Sequence, residues 1–303
     1  MRAGVLALLL LCTAQVARAD GTSTGIAADR LRFGLGPSVM AGAEGAETTR
    51  TGNVNMLLAF DYLRDPVQLR AAANGAVVST PVRNQLVGTL GWELGLPRRF
   101  AIQLSLPVAL VNDGDRLRYS GATGDDATTG LHAGAGDLML GVKVALLGHP
   151  EEPGMHVAFA LDGTAPLGGD HDFAATGSLT LAPRLHIDYR LPWLSIVLDA
   201  QVRFEGRRTL FGTRFGDELD ITGGVVGKLV SLRRSHLVAY VEAAGVVASD
   251  ASTRAAELRG ALRLATPHAD VDIGAGGGLN DAIAAPRYRV FAVVRVPLDW
   301  RGK

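Results

Sequence analysis

Tyr288-Arg-Val-Phe-Ala-Val-Val-Arg-Val-Pro-Leu-Asp-Trp300 decides how the rest of the chain is read. Taking every second residue gives Tyr288, Val290, Ala292, Val294, Val296, Leu298 and Trp300, an unbroken apolar or aromatic series. The intervening positions include Arg289, Arg295 and Asp299. Strict alternation of this kind marks a β-strand with one uniformly apolar face. An ordinary strand of a soluble sandwich runs about five or six residues. This one approaches the roughly 9–11 residues that a tilted strand needs to cross a bilayer.

The same unit recurs upstream from Val54. Val54, Met56, Leu58, Phe60 and Tyr62 form one apolar face, and Phe100, Ile102, Leu104, Leu106, Val108 and Leu110 form the cleanest, with Gln103 and Ser105 between them. Leu179 to Tyr189 alternates against Arg184, His186 and Asp188, and Leu194 to Val202 against Asp199, Gln201 and Arg203. In all, about twelve such segments of roughly ten residues read apolar-out and polar-in. Short connections (Pro97 to Arg99, Gly148 to Gly154, Leu191 to Trp193, Ser231 to Ser235, Pro267-His268) interleave with longer ones (Leu63 to Val82, Val111 to Ala135, Leu167 to Thr176, Glu205 to Gly216, Ala248 to Arg254, Leu279 to Pro286). Tight turns at one end and long loops at the other are what a barrel in an outer membrane needs. An even strand number puts both termini on the periplasmic side. Trp92, Trp193 and Trp300 then fall at periplasmic strand ends, where an aromatic girdle belongs.

The N-terminus agrees with export. Met1-Arg2, the apolar run Val5 to Leu11 and Ala17-Arg18-Ala19 read as a signal peptide over residues 1–19. Cys12 is the only cysteine, so removing the signal leaves a thiol-free chain with no disulfide or cysteine-ligated metal. Lys+Arg and Asp+Glu balance at 30 each, which gives no reason to expect nucleic acid. Residues 20–53 are rich in Gly, Ala and Thr around one apolar patch, Leu31 to Leu35. They read as a periplasmic leader, an extra strand or a lumen segment, followed by the barrel over residues 54–303.

Candidate chemistry is thin. His186 and Asp188 share a face two residues apart, the spacing of a base and its orienting carboxylate, but towards the periplasmic half of the strand. Asp170-His171-Asp172 has no positioned partner. Asp270 and Asp272 fall short of the 6–8 oxygens that calcium takes. Gly274-Ala-Gly-Gly-Gly278 lacks the Lys-Ser/Thr of a phosphate loop and reads as close backbone approach. No enzyme, cofactor or metal site is expected.

The informative residues are the inward charges Lys143, Asp162, Arg184, Asp188, Asp199, Arg203, Lys228, Glu242, Arg259, Arg263, Arg289 and Arg295. In hydrocarbon each would cost a few kcal/mol. They line an aqueous path for small solutes, or they pair across the lumen and close it. Arg259 and Arg289 sit nearer the outer rim than Asp270 and Asp272, which predicts a basic mouth attractive to anions.

Tyr62-Leu-Arg-Asp-Pro-Val67, Gly136-Asp-Leu-Met-Leu-Gly-Val-Lys143 and the span Leu279 to Val290 resemble motifs of an OmpA-related barrel family of myxobacterial type. The long closing strand, with Tyr288, Val294 and Trp300, resembles the C-terminal assembly signal of bacterial outer-membrane barrels. These likenesses imply outer-membrane lipid and the barrel-assembly machinery as partners. Related chains often carry a peptidoglycan-binding domain; this one ends at Lys303, so no cell-wall anchoring is expected. The reading is an all-β, antiparallel up-and-down transmembrane barrel of porin-like function. The protein should therefore fractionate with the outer membrane and change its mobility on SDS gels when boiled. Recovery as a soluble periplasmic monomer would contradict it.

Overall fold

The computed structural model describes residues 27–299 apart from 38–39, 72, 116–132, 151, 169–172, 211–212 and 249. The signal peptide with Cys12, the Asp170-His171-Asp172 loop and Trp300 lie outside the described residues. Twelve strands form the wall: β1 Asn53–Arg70, β2 Val77–Leu96, β3 Phe100–Asp113, β4 Asp137–Leu147, β5 Gly154–Pro166, β6 Thr180–Arg190, β7 Leu194–Arg203, β8 Glu218–Leu232, β9 Ser235–Ala248, β10 Ala256–Ala265, β11 Asp270–Gly278 and β12 Tyr288–Asp299. Each pairs antiparallel with its chain neighbours. β12 closes onto β1 in one unbroken register, from Asn53↔Asp299 to Arg64↔Tyr288. Closure pairs every edge, which a sheet surrounded by lipid requires.

Burial is inside-out. On β12, Arg289, Phe291, Val293 and Arg295 are buried, while Tyr288, Val290 and Ala292 are exposed. Across the wall, Leu90 and Ile273 are 60% and 65% exposed while Lys143 and Arg289 are 0% exposed. A soluble protein does not turn its aliphatic residues outward around its whole circumference; a barrel solvated by acyl chains does.

The strands at the end of the long loops exceed the alternating pattern. The connection read as running from Leu63 to Val82 is mostly ladder, and the turn occupies only residues 71–76. The register shifts past Arg64, where Asp65 adopts a positive φ of 51° before Pro66. Beyond the lipid, strands need no apolar face, so hydrogen bonding continues where the hydrophobic signal stops. Residues 71–76 are consequently no longer than the turn at 148–153, and the contrast in connection length is softer than the sequence suggests.

The described residues of 27–52 run through the barrel without regular secondary structure. Phe33, Leu35, Met40, Ala41 and Ala43 are buried in one cluster with Leu57, Ala59, Val197, Val226, Tyr240, Phe291 and Val293 of the wall. Two wall glycines make the room. A Cβ at Gly91 would collide with the Leu35 side chain, and one at Gly224 would lie 2.6 Å from Met40 Sδ. Gly274 clears the Phe291 ring in the same way, so the glycine run of β11 serves close approach.

On the outer face, Ile273→Arg should cost up to about 2–4 kcal/mol in a bilayer. Denaturant titration of the vesicle-reconstituted protein measures this. Arginine at the inward-facing neighbour Asp272, already between two arginines, should be worse.

Candidate functional site: the lumen and its threaded segment

Arg184, Arg203, Arg259, Arg263, Arg289, Arg295 and Lys143 are all buried inside the barrel, as are Asp162, Asp188, Asp199 and Glu242. Lys228 differs. It shares the inward parity of Val226 but sits at the short-turn end, beside a register shift, and is exposed. It belongs to the rim and not to the lumen, because the strand has already left the barrel's packed interior.

The wall carboxylates bind the threaded backbone. Glu242 of β9 accepts the N–H groups of Gly42 and Ala43, the latter at 3.0 Å. Asp199 of β7 accepts the Glu44 N–H at 3.3 Å, Asp188 of β6 that of Ala46 at 2.6 Å, and Glu93 of β2 that of Thr49 at 2.6 Å. Wall donors take the carbonyls. Asn55 reaches the Leu35 and Gly36 oxygens at 2.6 and 2.9 Å, Arg295 the Met40 oxygen at 3.1 Å, and Lys143 the Gly45 oxygen at 2.6 Å. A buried chain with no sheet or helix must satisfy its peptide groups somewhere. Here wall side chains from strands all around the barrel do it.

The charges are also paired with one another. Lys143 Nζ lies 2.7 Å from Glu44 Oε1, and Arg184 lies 3.2 Å from Asp162 and 3.4 Å from Glu44. Asp272 accepts from Arg263 at 2.6 and 2.8 Å, from Arg295 at 2.8 Å and from Tyr240 at 3.1 Å. Arg289 binds Asp61 and Glu257, and Arg259 lies 3.0 Å from Glu242. Removing one partner of such a pair is costly because the other stays buried and charged.

Several sequence expectations change here. Arg259 and Arg289, read as a basic mouth, are 3% and 0% exposed and held by carboxylates. They are ion-paired inside the lumen and form no exposed basic rim. His186 and Asp188 do not meet: His186 Nδ1 lies near the Glu44 carbonyl and Asp199, whereas Asp188 binds Ala46, Arg190 and, at 3.5 Å, His156. Asp272 is saturated by arginine, which leaves Asp270 without a second carboxylate for calcium. Among the described residues no group of three or more His, Cys, Asp or Glu could hold a metal ion. Sequence reasoning missed Asp61, Glu93, Glu44, Arg30 and Arg32. The first two carry a visible signal, since they sit between apolar positions of β1 and β2. The last three lie in a stretch with no periodicity to read.

Towards the long-loop end the lumen is not filled. One cavity has a volume of about 110 Å³ and a second about 80 Å³. Residues 30–32 separate them, and Arg32, Arg184 and Arg203 line both.

A closed twelve-stranded wall, lipid-facing outside and charged within, defines an integral β-barrel of the bacterial outer membrane. Residues 69–285 match the family described as "Putative MetA-pathway of phenol degradation", and the chain belongs to that family. No curated protein matches it. Among solved structures it is similar to the COG4313 outer membrane channel from Pseudomonas putida F1, at 16% identity and a TM-score of 0.59, covering 84% of this chain and 98% of that one. At that identity the likeness shows the fold. Looser likenesses are to the NanC porin (9% identity, TM-score 0.47, 81% and 98% covered) and to LpxR from Salmonella typhimurium (9%, 0.40, 79% and 99%). The OmpA-related likeness remains one of loop-edge motifs.

Lys143→Met should destabilise the docked segment by up to about 3–5 kcal/mol, since Glu44 loses its nearest cation and keeps only Arg184, at 3.4 Å, as a counter-charge. Adding Glu44→Gln should recover much of this. A double-mutant cycle in denaturant measures the coupling, and additive losses would mean that the pair is not formed.

Proposed function

We propose that the chain is an outer-membrane channel for small solutes, with residues 27–52 as its internal constriction and both termini in the periplasm. The single observation that carries this reading is the pair of cavities at the long-loop end, lined by charged, polar and apolar side chains. A barrel built only to be closed would be served by a close-packed interior. The family's tie to phenol degradation and the likeness to the Pseudomonas channel support a role in moving small organic molecules. The apolar cluster around Met40 favours a second state in which the path is shut, and we read it as the resting state. The outward aliphatic belt would face outer-membrane lipid, with Trp92 and Trp193 near the periplasmic interface. Tyr288, Val294 and Trp300 would serve recognition by the barrel-assembly machinery.

In planar bilayers the full chain should give small, infrequent conductance steps. Glu242→Ala withdraws the acceptor of the Gly42 and Ala43 N–H groups and should raise the open probability several-fold, with folding verified by the heat-dependent gel shift. Silence from both folded proteins would support a closed structural barrel instead.

A further inference from the structure

The larger cavity has two unlike sides. Phe33, Leu35, Val87, Pro107, Met139 and Phe173 supply apolar lining, and a group of arginines lines it as well. Three of those arginines are committed. Arg30 holds Glu218 at 2.7 and 3.1 Å, Arg184 holds Gln201 at 2.8 and 3.1 Å, and Arg203 holds Asp220 at 2.8 Å. Arg32 is not. Its Nη1 has Asp162 Oδ2 at 3.9 Å and Met139 Sδ at 3.9 Å, and its side chain is 28% exposed. Both distances exceed those of a charge-assisted hydrogen bond, about 2.7–2.9 Å. Arg203 and Arg184 act on it as like charges, and Asp162 and Asp220 as opposite ones.

Five acids line the same cavity, Glu205 among them; of the others, Glu44 is held by Lys143 at 2.7 Å. Asp29 accepts the Leu31 N–H at 2.9 Å, Asp137 accepts the Thr176 N–H and hydroxyl, and Glu218 is held by Arg30. The cavity therefore presents one guanidinium with no short hydrogen bond, its nearest carboxylate being Asp162 at 3.9 Å, beside apolar side chains.

We propose that this cavity binds a small aromatic monocarboxylate, its carboxylate on Arg32 and its ring against the Phe33, Pro107 and Met139 side. The site rests on the channel reading for its purpose, as a selective stop on the solute path, but its occupancy is measurable without transport. Guanidinium and carboxylate match geometrically, each offering two parallel hydrogen-bonding positions.

The test uses the folded full-length protein in detergent, with benzoate as probe and calorimetric titration as readout. Benzoate should bind saturably, more tightly than its neutral isostere benzamide and than acetate, which lacks the ring. Arg32→Gln should weaken benzoate by roughly tenfold or more, the loss expected for one charge-assisted contact. Arg32→Lys should retain part of the affinity, and Arg83→Gln, on an exposed loop-side residue, should retain all of it. Equal binding of benzoate and benzamide, equal binding of benzoate and acetate, or an unchanged Arg32→Gln variant would overturn the assignment. Saturable benzoate binding by a protein that is silent in bilayers would leave the site standing and remove the channel. Conductance without benzoate binding would do the reverse.

Discussion

A charged side chain turned into a lipid-embedded barrel cannot return to bulk water through the wall, and leaving it unpaired in a dry interior costs several kcal/mol. The arrangement of this protein follows from that constraint. Pairing within the wall, as in Arg295–Asp272 and Arg259–Glu242, does not use up the hydrogen-bonding capacity of inward-facing Lys143, Arg295, Asp188, Asp199, Glu93 and Glu242. The threaded segment brings the missing partners, as peptide N–H and carbonyl groups and as the Glu44 carboxylate. Wall and segment solve each other's desolvation problem. The segment could not stay irregular and buried without the wall charges, and the wall charges could not stay buried without the segment.

This mutual dependence bears on function. Hydrogen bonds from backbone to charged side chains hold the segment firmly, yet each can be exchanged for water if the lumen hydrates. The apolar cluster around Leu35 and Met40 is small, and its seats at Gly91 and Gly224 are shaped for those two side chains. A barrel closed by such a strap differs from one filled by its own wall residues. On the channel reading proposed above, its resistance to solutes would be set by a docking equilibrium and not by the wall, and cavities lie beside residues 30–32.

The wall was largely legible in the sequence, because lipid outside and polar lumen inside impose a period of two that tolerates few exceptions. β12 and β3 could be read almost residue by residue. The extensions of β1 and β2 past Arg64 were not, since the pattern depends on lipid and the strands outlast it. Of the inward charges only Lys228 departs, at a strand end where parity no longer implies burial. The segment over residues 27–52 had no periodicity to betray it. Its contacts are made by peptide groups that every residue carries, so only the Leu31 to Leu35 patch hinted at something to bury. Arg32, the residue that gives the cavity its character, is for that reason invisible from sequence.

The most direct measurement is amide hydrogen exchange of the folded protein in micelles, resolved at Ala43, Ala46 and Thr49. These three N–H groups donate to Glu242, Asp188 and Glu93 inside the barrel. The account predicts protection comparable to that of the wall strands, lost at Ala46 in Asp188→Ala and at Thr49 in Glu93→Ala. Exchange of all three at the rate of an unstructured peptide would contradict it.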